Sequence, residues 1–464
     1  LALELIFNIQ KLTTMKAYII SALLLFTLSV SSCKKFLDEK ADKRLIVPKT
    51  IEDLQGLLDD SYIMNTQTPS FGEVSADDYF LLPINYNSLT EQDQKSYTWT
   101  LKDYNYPNDW ASNYTPVYNS NYCIEEIEKN ERTILNAENW DNVKGSALFF
   151  RAFYFTNLVW EYSKAYDANT ASTDLGIVLR TKSNFNLPSK RASVEQTYNQ
   201  IIEDFKAAST YLKEFPIHTM RPSKAAAYSG LARVYLSMRN YDSAFKYSNL
   251  SLQIKNTLID YNNSSIVNPS SNVPFSPFNE EIIFYTTESF NFNVKSPFFA
   301  KVDTALYSSY ADNDNRKTIF FRPASGYNRF KGSYSANQIT LFSGMAVDEM
   351  VLIRAECNAR VGHLTEAMSD LNSLLIKRWV TGLFTPVIIT TQMQAIDVIL
   401  KERRKELLMR GLRWIDIKRL NKEGLNVELK RFINGGLIIL APNDKRFALP
   451  IPKDIIELSG IEQN

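Results

Sequence analysis

Few side chains in this sequence are equipped for acid–base or covalent chemistry. Two histidines, His218 and His363, serve a chain of 464 residues, which leaves little for proton transfer or an activated nucleophile. Three cysteines, Cys33, Cys123 and Cys357, are too few for a Cys/His zinc site, and their spacing matches neither a disulfide framework nor a redox pair. Cys123 and Cys357 fall in helix-like patterns and are expected to be buried thiols. Carboxylates do occur in pairs: Asp77 and Asp78 after FGEVSA, and Asp312 and Asp314 within YADNDNR. Two acids at a suitable separation can hydrolyse a glycosidic bond, and Asp-rich turns can ligate Ca²⁺. Such turns are more often caps and Asx-turns. No catalytic residue, metal site or cofactor is predicted, a structural Ca²⁺ included.

The densest charge lies at 401–419, KERRKELLMRGLRWIDIKR, with eight basic and three acidic residues. The whole chain carries 52 Lys+Arg against 51 Asp+Glu, a net charge of +1. A protein that held nucleic acid along its surface would be more lopsided, so this basic stretch is expected to pair within the protein. Placed on one helix, Leu408, Leu412 and Ile415 form a stripe. Glu402 and Glu406 lie four apart, Glu406 precedes Arg410 by four, and Arg413 precedes Asp416 by three. Each acid would then face an arginine, for about 0.2–0.5 kcal/mol per exposed pair. Gly411 permits a close backbone approach, and Trp414 would act as a wedge.

The elements around it are largely helical. Residues 143–163 are almost all apolar or aromatic and predict a helix buried on most sides. Residues 193–212 carry Val194, Tyr198, Ile201, Ile202 and Phe205 at 3–4 spacing behind Ser193 as N-cap. Residues 223–252 and 348–375 align at an offset of 123, placing Ala232 on Ala355, Tyr241 on Leu364 and Ala244 on Ala367. Both read as helix, tight turn, helix, similar to a tetratricopeptide pair. Two stretches break the pattern. From Asn65 to about Asn113 periodicity vanishes in a polar, Tyr- and Trp-rich segment; such a loop is usually functional or disordered, and its aromatics argue against disorder. Residues 255–345 are rich in Asn, Ser, Phe and Tyr, with strand-like runs such as EIIFYTT.

At the front, Met15 opens a complete signal: Lys16, an apolar run from Ala17 to Val30, then Ser31 and Ser32 before Cys33. This resembles a bacterial lipobox, in which the cysteine becomes the lipidated first residue. No other segment approaches 18 apolar residues, so the lipid is the expected membrane contact. The chain is thus read as a signal segment (1–32, with 1–14 upstream of the true start), a lipidated tether (33–49), an N-terminal helical region (50–254) containing the aromatic stretch 65–113, an irregular lobe (255–345) and a C-terminal helical region (346–464). The fold class is mainly α: a scaffold of tetratricopeptide-like helix pairs with a loop-rich lobe carrying short strands.

The run ERRKELLMRGLRWIDIKRL strongly resembles the C-terminal signature of the SusD/RagB family, through Glu402, Arg403, Arg404, Glu406, Leu407, Gly411, Arg413, Trp414, Asp416 and Arg419. Arg410 departs from it, since an acidic residue is more usual there. WASNYTPVYNSNYCIEEIEKN (110–130), ALFFRAFYFTNLVWEYSKAYD (147–167), LGIVLR (175–180) and FALPIPKDII (447–456) are similar to further family segments. The resemblance implies a lipid-anchored protein on the outer-membrane surface. Such proteins sit over a SusC-type TonB-dependent transporter and capture a nutrient, commonly an oligosaccharide. The helix pairs would face the transporter and the irregular lobe outward, with 401–419 as a structural brace.

An oligosaccharide offers apolar C–H faces and a rim of hydroxyls, which flat aromatics and Asn, Asp or Arg side chains recognise. A site for a long glycan is expected to need several such platforms and little charge. The expected ligand-binding residues are Tyr97, Trp99, Asp103, Tyr104, Asn105 and Tyr106 in the first irregular stretch and Phe290 and Phe292 in the second, where Tyr307 and Tyr327 are further candidates. Trp110 and Trp160 are expected in the core. The competing functions are an assembly lipoprotein that binds a protein or peptide through its helix pairs, and a surface glycosidase.

Overall fold

Polar caps mark where the apolar-periodic segments begin. Thr50 accepts from the Asp53 amide while Asp53 returns a bond to the Thr50 backbone, and Ser193 and Gln196 form the same reciprocal box. The computed structural model describes residues 47–464 other than residue 293. The signal segment, Cys33 and the tether as far as residue 46 lie outside the described residues. Ten helices of eight or more residues occur among those described: α1 (Ile51–Leu58), α2 (Asp109–Ile127), α3 (Ala137–Tyr162), α4 (Val194–Tyr211), α5 (Lys224–Ser237), α6 (Tyr241–Ile254), α7 (Val347–Arg360), α8 (Leu364–Leu375), α9 (Gln392–Glu406) and α10 (Arg413–Asn421). None of the helices described is long and apolar enough to cross a membrane.

From α2 to α8 each long helix packs on the next, and α9 returns to α7. Every residue of α3 from Val143 to Tyr162 is buried, as its mostly apolar and aromatic composition predicts, and the basic ones are paired, Arg151 with Asp204 and Lys144 with Glu128. The offset of 123 holds for the structure: α5 maps onto α7 residue for residue, and α6 and α8 start at matched positions. Ala232, Ala244, Ala355 and Ala367 have no exposed surface, so small side chains stand where paired helices approach. Gly230 lies so near α4 that a Cβ there would sit 2.5 Å from the Phe205 ring. A buried ion pair ties one helix pair to the other, with Arg233 Nε 2.7 Å from Glu349 Oε1. Cys123 and Cys357 are free and buried, and burial pushes the Cys123 thiol up to about 12.

Between α6 and α7 the chain leaves the stack for a loop-rich excursion carrying short antiparallel strands. Tyr79–Leu81 pairs with Ala300–Val302, Ile282–Phe284 with Met345–Ala346, and Phe321–Ala324 with Tyr327–Phe330. The stretch 65–113 is more ordered than its composition suggests. It holds helices at Phe71–Ser75, Pro83–Asn87 and Glu91–Tyr97 and the strand Tyr79–Leu81. Elements of three to seven residues complete too few periods to show in a sequence.

The 401–419 stretch is not one helix. α9 ends at Glu406 and α10 begins at Arg413, and the turn between them holds Met409 and Gly411 at φ +57° and +72°. Gly411 donates its amide to Glu73 Oε2 at 2.9 Å, and a Cβ there would meet Glu288 Oε1 at 3.1 Å. The pairs expected along one helix are replaced by contacts across the fold. Arg410 reaches Asp348 (2.9 Å) and Arg413 reaches Asp77 (2.6 Å), while Asp416 accepts from Arg403 and Arg419 (2.8 Å each). Glu406 lies between two fully buried arginines, 2.7 Å from Arg378 Nε and 2.9 Å from Arg316 Nη1. Arg316 also binds Glu402 at 2.6 Å, and Arg404 binds Asp78 at 2.9 Å. Trp414 is buried with its ring 4.7 Å from that of Phe447.

Candidate functional site

The acid pairs singled out in the sequence are tied up in this network. Asp77 and Asp78 face Arg413 and Arg404, Asp314 faces Arg316, and Asp312 binds Lys317. Burial opposes ionisation of Asp77, but the neighbouring Arg413 and Arg404 prevail and hold its carboxyl well below the usual range. Glu281, Asp348 and Glu406 also converge in the interior, where Arg378, Arg410 and Arg316 supply the opposing charge. His218 accepts from the Met220 amide, and His363 stands at the N-terminus of α8.

Four of the eight expected ligand-binding residues are core residues, and a ligand-contacting role for them is withdrawn. Tyr97 and Trp99 are 1% and 5% exposed, with the Arg431 guanidinium 4.1 and 4.9 Å from their ring centres. Trp99 donates to the Ser75 carbonyl, and Tyr97 accepts from the Leu81 amide. Tyr104 and Phe292 pack around Phe71, whose ring stacks on Phe292 at 4.5 Å. Rings covered on both faces have none to offer a ligand. Phe290, Tyr106, Asp103 and Asn105 are exposed; the Tyr106 amide donates to Asp454 at 3.2 Å. Trp110 and Trp160 are buried, as expected.

Exposed aromatic surface gathers instead around the hairpin formed by Phe321–Ala324 and Tyr327–Phe330. Its turn is Ser325–Gly326 with φ +53° and +77°, the conformation that two-residue hairpins favour and that glycine tolerates. Side chains alternate across the strands. Phe321 opposes Phe330 on the buried face, while Arg322 opposes Arg329 and Ala324 opposes Tyr327 on the outer one. Alongside, Tyr79 and Leu81 point into the core and leave Phe80 outward, opposite Lys301. Phe80 meets Tyr327 edge to face at 5.1 Å, and the Arg329 guanidinium lies 5.2 Å from the Phe298 ring centre. Tyr327 and Phe298 are 39% and 53% exposed. Phe80, Tyr327 and Phe298 thus form a ledge with a hydrogen-bonding cation beside it. Burial first, and a neighbouring cation second, lower the pKa of Arg329, Lys301 and Lys331.

A second aromatic cleft of about 490 Å³ lies between α2 and the loop 178–189, where Tyr118 stacks on Phe185 at 4.6 Å. Its central polar groups are committed internally: Asn121 donates to the Arg180 carbonyl at 2.6 Å, and Arg180 to Leu187 and Ser189, also at 2.6 Å. The ledge has more to give a polar ligand. Sequence reading reached Tyr327 but missed Phe80 and Phe298, although Ser-Gly between FRPA and YNRF is a hairpin signal.

Residues 35–236 match a family model described as "Starch-binding associating with outer membrane", and residues 345–437 match that of the SusD family. No curated protein matches the chain. Among solved structures, a SusD superfamily protein from Bacteroides thetaiotaomicron is 20% identical, with a TM-score of 0.71 over 89% of this chain and 99% of that one. A SusD-like carbohydrate binding protein from Bacteroides vulgatus is 19% identical, with a TM-score of 0.66 over 89% and 97%. Surface glycan-binding protein A from Bacteroides uniformis is 15% identical, with a TM-score of 0.66 over 89% and 99%. At such identities these structures share the fold with this chain. The two matched regions carry the helical scaffold and the arginine–carboxylate brace, and by them the chain belongs to the SusD/RagB family.

Proposed function

We propose that this protein binds an oligosaccharide at the outer bacterial surface and delivers it, without catalysis, to a SusC-type TonB-dependent transporter, held to the outer membrane by lipid on Cys33. The observation that carries the reading is the ledge of half-buried Phe80 and exposed Tyr327 and Phe298 beside the hairpin, with Arg329 at its edge. Flat rings there can stack on a sugar's C–H face while the guanidinium donates to its oxygens. The family description and the names of two structural neighbours, a carbohydrate binding protein and a surface glycan-binding protein, support a saccharide ligand. The arginine pairing of the acid pairs supports a non-catalytic role.

Affinity electrophoresis through glycan-containing gels tests this. The chain should be retarded by a cognate oligosaccharide and release no reducing ends from it. Joint replacement of Tyr327 and Phe298 with Ala should weaken retention about tenfold, since each stacked ring contributes about 0.5–1.5 kcal/mol beyond its area. The unfolding temperature should hardly move, because both rings are exposed. Undiminished retention would remove the ledge as the site. Separately, Cys33→Ala should shift the protein from the membrane pellet to the soluble fraction, because a chain without its lipid loses the anchor.

A further inference from the structure

The ledge carries more positive charge than a neutral sugar needs. Resting on the saccharide-binding reading above, we propose that the ligand is an anionic glycan, whose uronate carboxylates or sulfate esters sit against Arg322 and Arg329. These arginines are directly opposite each other on the outer face of the hairpin. Like charges in that relation destabilise a strand pair, whereas the arginines of the brace, Arg316, Arg378, Arg413 and Arg419, each meet a carboxylate. Among the described residues neither Arg322 nor Arg329 has a carboxylate partner. Lys301, buried opposite Phe80 on the strand that packs beside the hairpin, feels the charge of Arg329, and Lys331 follows Phe330.

The partners these cations do have are neutral, and they hold the charge in place without cancelling it. Lys301 Nζ lies 3.3 Å from the Phe299 carbonyl, Lys331 donates to the Ser271 carbonyl at 3.0 Å, and Arg322 donates to the Asn272 side chain. The Arg329 guanidinium stands over the Phe298 ring and makes no hydrogen bond to the described residues, so its planar fork is free for a bidentate anion. The electrostatics agree with the geometry: beyond burial, the charges acting on Lys301, Arg329 and Lys331 are other cations of the same group. Four cations without a carboxylate partner among the described residues, Lys301, Arg322, Arg329 and Lys331, thus stand beside the exposed rings. An anionic sugar places both complementary features on one residue: an apolar ring face for Tyr327 and Phe298 and a carboxylate or sulfate for the arginines. The site thereby departs from the low charge expected of a glycan platform.

The test is affinity electrophoresis of the folded chain in gels containing polygalacturonate, alginate, chondroitin sulfate or heparin, each beside its carboxyl-reduced or desulfated counterpart. At least one anionic polymer should be retained at least tenfold more strongly than its neutral form, and the difference should shrink as salt is raised. Whether carboxyl reduction or desulfation abolishes retention identifies the anion. The variant with Arg322→Gln and Arg329→Gln should lose the preference without a fall in its unfolding temperature, since the opposed like charges are relieved. Tyr327→Ala should weaken binding of acidic and neutral forms alike. Equal retention of both forms, unchanged by the double Gln variant, would overturn the anionic assignment and leave the saccharide site standing. If no polymer is retained, or retention survives joint loss of Tyr327 and Phe298, the saccharide reading fails and this inference with it. Arg329-dependent sedimentation with phosphatidylglycerol vesicles, in the absence of glycan retention, would assign the patch to a lipid surface and overturn the proposal.

Discussion

Glu406→Ala is expected to destabilise the protein by about 3–5 kcal/mol, the range for removing one partner of a buried ion pair. Glu406 accepts from Arg378 at 2.7 Å and from Arg316 at 2.9 Å, and all three side chains are fully buried. Without it, Arg378 Nε and Arg316 Nη1 lose their acceptor in the interior, although Arg378 keeps Glu281 and Arg316 keeps Asp314 and Glu402. Glu281, Asp314 and Arg316 belong to the loop-rich lobe and Glu402 and Glu406 to α9, so the loss should loosen the join between them. The check is the midpoint of chemical denaturation beside Lys401→Ala, which removes an exposed pair with Asp397 and should change stability by no more than about 0.5 kcal/mol. The pH dependence should follow. Burial raises the Glu406 carboxyl, but Arg378 and Arg316 outweigh it and leave it below the ordinary value of 4.5. Its contribution is therefore present above pH 4.5 and lost as pH falls through the lower folded value. The variant should show a shallower acid limb than the parent. Equal midpoints for Glu406→Ala and Lys401→Ala would remove the brace.

Joint replacement of Tyr97 and Trp99 with Ala should cost even more. Truncating a buried aromatic typically costs about 3–5 kcal/mol, and here two adjacent rings are lost from under one cation. Arg431 lies over both and donates to the Tyr97 carbonyl at 3.3 Å. Removing the rings leaves its guanidinium beside a cavity and frees the Ser75 carbonyl that Trp99 satisfied. A protein that accumulates unfolded, or melts far below the parent, is the expected result in a thermal scan. A variant that melts normally but no longer retains glycan would reverse the assignment and return these rings to the ligand site.

The two aromatic groups show why position along the chain misleads. Tyr97, Trp99, Tyr104 and Phe292 lie in polar, aperiodic sequence, which reads as surface. Yet short helices and strands fold that sequence back onto Phe71 and Arg431 and cover the rings. Phe80 and Tyr327 are 247 positions apart and come within 5.1 Å because the strand Ala300–Val302 pairs with Tyr79–Leu81 and lies beside the hairpin. No local period records such a pairing.

What the sequence determined by itself was the helical scaffold. Its caps, the aromatic-rich, buried run of α3 and the two helix pairs at an offset of 123 are local patterns, and a helix satisfies its own backbone within a few residues. The charged 401–419 run was also legible as a stretch that must pair inside the protein, because the chain is nearly neutral. Only the tertiary structure decided with whom. A buried guanidinium pairs with whichever carboxylate the fold carries to it, so Arg413 chose Asp77 from 336 positions away over Asp416 three positions on. The same long-range geometry decided which aromatic rings face water.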